Sequence, residues 1–158
     1  MAGPSTAQLD AVLNAIARNI PFPTPPANLS VSLHTADPGQ TGANEVSTAA
    51  GSGWVGYARV AASAGTAGTG AGAVFGGGAV AGAAPTGSTT RSISNGAALT
   101  FPASGGTSGS VTVTHFGLWD AATGGNWLRG AALSASQVIG ANASGPSFAS
   151  GSFVISQS

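Results

Sequence analysis

The chain has 158 residues, with only four basic and four acidic side chains, no lysine and no cysteine. Its length suits one main core; the missing cysteines exclude disulfides and thiolate metal sites, and four scattered arginines argue against a nucleic-acid partner, whose phosphate backbone calls for clustered basic groups. The 26 glycines and 9 prolines point to turns and strands, and so uncharged a surface gives little repulsion between copies and suits burial against partners.

In chain order, Pro4-Ser5-Thr6 offers a helix N-cap, and Leu9, Val12, Leu13, Ile16 and Ile20 then recur at three- and four-residue spacing. That spacing predicts a short amphipathic helix with one apolar face. It should stop near Asn19, because Pro21, Pro23, Pro25 and Pro26 remove donors and force extended geometry. Residues 1–27 therefore read as a helix on a proline-rich arm, which either folds back on its own domain or reaches a neighbouring subunit. In the second case the five aliphatics are the assembly residues. The opening stretch lacks the basic-then-apolar order of a signal peptide, and no apolar run approaches the roughly 18 residues a membrane helix needs. The expectation is an unexported chain with no membrane partner.

Residues 28–158 read as the body. From Leu29 the period becomes two, with Leu29, Val31, Leu33 and Thr35 on one side and Ser30, Ser32, His34 and Ala36 on the other, which predicts a half-buried strand. Asp37-Pro38-Gly39 closes it with turn chemistry. A loop to Gly53 precedes a short strand from Trp54 to Ala61. Residues 62–92 form an Ala/Gly/Thr/Ser-rich insertion whose larger apolar points are Val74-Phe75 and Val80; it reads as a long loop or hairpin used at subunit contacts. Ile93 stands alone, Ala98 to Phe101 is a strand, and Val111 to Trp119 is a strand with apolar residues on both faces. Asp120 to Asn126, with Gly124 and Gly125, turns the chain back into a strand from Trp127 to Leu133. A last strand runs from Ser147 to Ser156. Short strands without interleaved helices predict an all-β fold, a β-sandwich or jelly-roll-like body.

Catalytic chemistry finds few candidates. His34 and Asp37, or His115 and Asp120, have no recognised metal-ligand spacing. No Gly-x-Ser-x-Gly elbow is present, and the glycine tract carries no phosphate-binding fingerprint. Both histidines read as strand residues hydrogen-bonded to a hydroxyl or backbone group. Asp37, Pro38, Gly39, Asn44, Asp120, Gly124, Gly125 and Asn126 read as turn-formers, and Glu45 pairs with Arg59 across a loop. The expectation is a non-enzyme with no cofactor.

The stretch Ser32 to Val46 (SLHTADPGQTGANEV), followed by Gly56-Tyr57-Ala58-Arg59, resembles a segment that recurs in small virion proteins of tailed phages. So does Thr114 to Leu128 (THFGLWDAATGGNWL) with Gly130-Ala131-Ala132-Leu133 after it. Members of that family are described as tail fibre-like, minor tail, or capsid cement and decoration proteins. The resemblance implies a particle component, a β-sandwich and homotrimers; the insertion at 62–92 departs from it. Two roles follow as expectations. The first is a cement or decoration protein on the head surface, bound to the major capsid protein. The alternative is a tail fibre or tail-tip protein bound to tail proteins, whose host-facing surface would expose Trp54, Tyr57, Trp119 and Trp127 for stacking on sugars, unless those rings serve the core.

Overall fold

A computed structural model describes residues 3–23, 26, 28–48, 54–63, 74–76, 91–105 and 109–157. The helix α1 (Thr6–Arg18) starts where its cap predicts. Ser5 is extended and its hydroxyl accepts from the Gln8 N–H at 3.2 Å, satisfying one of the donors a helix start leaves open. Asn19 ends the helix in the left-handed region at φ 52°, a conformation asparagine tolerates, ahead of Pro21.

Nine strands follow among the described residues: β1 (Asn28–His34), β2 (Val60–Ser63), β3 (Phe75–Gly76), β4 (Arg91–Asn95), β5 (Leu99–Thr100), β6 (Ser110–Trp119), β7 (Trp127–Gly140), β8 (Ser147–Phe148) and β9 (Val154–Gln157). They form antiparallel sheets of order β2-β1-β6-β7, β3-β4-β9 and β5-β8. The fold is all-β. Phe116 of β6 faces Phe75 (ring centroids 6.5 Å) and Phe153 (4.8 Å), Phe153 meets Phe148 (4.9 Å), and Phe148 meets Phe101 (5.7 Å) edge-on. These rings fill the space between the four-stranded layer and the smaller sheets, which makes the body a sandwich.

Several boundaries differ from the sequence reading. Trp54 to Arg59 is not strand, because Gly56 takes φ 87° in a turn that returns the Tyr57 N–H toward the Trp54 carbonyl; pairing begins at Val60. The insertion contributes to the sheets at both ends and through Phe75, which is buried in the core; the remainder, 64–73 and 77–90, lies outside the described residues. Ile93 is not alone but sits within β4, paired with Ile155 of β9. The return strand runs past Leu133 to Gly140. The final strand is two, separated by a turn at Gly151 (φ 81°).

Two burial patterns are also corrected. In β6 the core residues are Val111 and Val113, then Phe116 and Leu118. The ladder with β7 shifts register between Val113 and His115, and such a bulge turns the following residues onto the opposite phase. In β1, Ser30, Ser32 and His34 are as buried as Val31 and Leu33. β1 lies inside its sheet, and aromatic rings cover its polar face.

Candidate functional site

Two surfaces collect the residues singled out from sequence. The first is a loop platform at one end of the four-stranded sheet, made by the loop after β1, the segment before β2 and the β6–β7 turn.

At its base, the Asp37 carboxylate accepts from the Gly39 N–H at 2.8 Å while Pro38 is buried and Gly39 takes φ 59°. The Pro38 carbonyl accepts from the N–H groups of Gly42 and Ala43, and the Asn44 side-chain amide donates to the Asp37 carbonyl at 2.8 Å. Glu45 is thereby presented to Arg59. The pair is bidentate: Arg59 Nε and Nη2 each reach one Glu45 oxygen at 2.8 Å. Tyr57 adds its hydroxyl, donating to Glu45 at 3.1 Å while accepting from the Leu33 N–H at 2.9 Å. Burial, then the neighbouring Glu45 charge, push the Tyr57 phenol far above its ordinary range, so it stays a neutral donor.

Arg59 also reaches the β6–β7 turn. Its Nη1 donates to the carbonyls of Gly124 (2.7 Å) and Ala121 (3.2 Å), and its guanidinium lies 3.7 Å over the Trp119 ring. Within that turn Asp120 accepts from the Asn126 N–H (2.6 Å) and side-chain amide (2.7 Å), bonds that hold its carboxyl below the usual value. Gly124 and Gly125 take positive φ, as the turn requires. The turn residues named from sequence thus converge, with Arg59 as the link between the two loops.

Beneath the platform His34 is, as expected, a strand residue bonded to a hydroxyl and a backbone group, but within an aromatic cluster that the sequence did not indicate. His34 Nδ1 sits 2.7 Å from the Ala43 carbonyl, which can only accept, so that nitrogen carries the proton. Nε2 therefore accepts from the Ser32 hydroxyl at 2.7 Å, and that oxygen accepts from Trp119 Nε1 at 2.9 Å. Trp127 meets His34 and Trp119 edge-on. A Cβ on Gly42, Gly117 or Gly130 would overlap the Trp127 ring, so these glycines form the slot that holds it. His115 bonds the Thr114 hydroxyl at 2.8 Å.

The four aromatic candidates for a host-facing platform are core or covered: Trp54, Tyr57 and Trp127 are buried, and Arg59 lies over Trp119. Among the described residues no group of three or more His, Cys, Asp or Glu side chains is placed to hold a metal, and no helix is long and apolar enough to cross a membrane.

The second surface is α1. Its start is fastened to β7: Ser5 N–H donates to Leu128 O (2.9 Å), Gly130 N–H donates to Gly3 O (3.2 Å), and Pro4 pairs antiparallel with Arg129. Ala7, Gln8 and Ala11 line a groove of about 590 Å³ against Trp127 and Leu128. The aliphatic stripe faces away, with Leu13 64% and Ile16 81% exposed. Of the two placements open to the arm, this one leaves its apolar side outside the domain.

A family model described as podophage GP4 fiber I protein gp80 matches residues 3–156. The chain belongs to this family. Membership makes it a phage structural protein of fibre type, in agreement with the expected virion role. The match spans both the helical arm and the sandwich. No curated protein matches the chain.

Proposed function

We propose that this chain is a fibre component of a short-tailed phage particle, working as a homo-oligomeric building block that binds other tail proteins and has neither catalytic activity nor a cofactor. The observation that carries this reading is the fibre-family match along nearly the whole chain. The geometry agrees with it. The ionic and turn residues named on the platform either close a loop on itself or, through Arg59, tie one loop to the next, which suits a rigid structural part. The buried tryptophans make aromatic stacking on host sugars a poor basis for the role, so any host contact would come from another surface or another protein.

The head-surface cement reading, as a homotrimer on the major capsid protein, is the second. An outward apolar arm favours it, since such an arm suits gripping a neighbouring protein. Gold-labelled antibody against this chain, applied to intact particles and viewed by electron microscopy, separates the two. Label on fibres is the expected result; label over the head would transfer the protein to the cement role, and unlabelled particles would overturn both.

A further inference from the structure

Among the described residues, α1 carries an aliphatic stripe that is left uncovered, with Leu13 and Ile16 the most exposed. On a helical wheel Leu9, Val12, Leu13 and Ile16 fall within about 100° of arc, while Ala7, Ala11, Ala15 and Arg18 take the opposite side. The helix cannot roll to reverse this, because Ser5 is at once its N-cap and a backbone partner of Leu128.

Three occupants are conceivable: lipid, a different protein, or another copy. An interfacial membrane helix carries Lys and Arg on its polar face; here that face holds Arg18 alone, bonded to Asn14 of the same helix. The stripe itself is free of charge, with Asp10 at its margin. When identical helices meet about a symmetry axis each side chain faces its own equivalent, so any charge on the seam would be repelled by itself. A neutral stripe meets that condition. It also has the three- and four-residue spacing that lets like helices interlock.

We propose that α1 is a self-association seam, the aliphatic stripe of one copy packing against the same stripe of others. This rests on the homo-oligomeric part of the fibre reading. By area the seam is small: at about 25 cal/mol per Å² a fully buried leucine is worth about 100 Å², so the exposed part of the stripe offers about 220 Å² per copy, against about 800 Å² per partner in a standard interface. Association through it is therefore concentration-dependent.

The test uses the full chain in sedimentation across a dilution series. Wild type should show multiples of 14.9 kDa, and Leu13→Ser with Ile16→Ser should weaken association by more than about a hundredfold while leaving the urea midpoint of the monomer unchanged. Because the chain has no cysteine, Ile16→Cys reads the geometry directly: oxidation should link two copies, whereas Ser134→Cys, on exposed β7, should not. A wild type that is monomeric throughout would overturn the seam. So would an oligomer that keeps its mass in the double variant and fails to link through position 16, since another surface then holds it. Co-sedimentation of the wild type with phosphatidylglycerol vesicles, or mass gained only with other particle proteins, would assign the stripe to those occupants instead. None of these readouts depends on where antibody label falls on the particle, so the seam and the fibre placement fail separately.

Discussion

Arg59 uses all three of its nitrogens, two on Glu45 and one on the carbonyls of the β6–β7 turn, with its flat face on Trp119. An ammonium group has the charge without the fork, so Arg59→Lys should lose about 1–2 kcal/mol in urea unfolding; a loss within about 0.5 kcal/mol, the range of ordinary surface changes, would mean that the network holds little. His34 makes a second prediction. Burial keeps its imidazole below the usual value, the bond to Ala43 opposing this in part. As pH falls below about 6.5 the unfolded chain takes up a proton there that the folded chain refuses, so stability should fall until the folded ring itself titrates, and then level off. Nitrogen NMR should show His34 protonated at Nδ1 at neutral pH and titrating below 6.5; titration above that value would contradict the buried network. The Glu45–Arg59 pair was legible in the sequence because charges are so scarce that few pairings exist. The kind of partner that His34 bonds was legible too, but not the Trp119 donor, which lies 87 positions from Ser32.

At the scale of elements, the helix and its limits were legible, being set by short-range rules: a serine cap, a heptad-like stripe and a proline stop. Strand β6 was harder. Its hydrophobic phase changes at a bulge, and a one-residue slip looks in sequence like a strand covered on both sides. The glycines divide in a way that can be measured. Gly117→Ala places a methyl against the Trp127 ring and His34, in a strand held on both sides, and should cost about 1–3 kcal/mol with a red shift of tryptophan emission. Gly140→Ala meets nothing within 4 Å and should stay within about 0.5 kcal/mol of wild type. Equal effects at the two sites would remove the slot from the account.

For the whole molecule, the sequence by itself determined the all-β class, the capped N-terminal helix, the turn chemistry at Asp37-Pro38-Gly39 and Asp120 to Asn126, and a likeness to phage particle proteins. These depend on periodicity, backbone preference and composition, which act over a few residues or over the chain as a whole. Only the tertiary structure decided that Trp127 fills a slot lined by glycines, that the serine face of β1 is buried beside Trp119 and Trp127, that Phe75 carries part of the insertion into the core, and that the aliphatic face of α1 points outward. Each of these depends on which distant surface comes to lie against a given side chain. An amphipathic stripe has the same spacing whether it turns inward or out; here the bridge from Gly3 to Ser5 onto β7 holds the helix start, and so the direction of its faces, through backbone bonds to a distant strand.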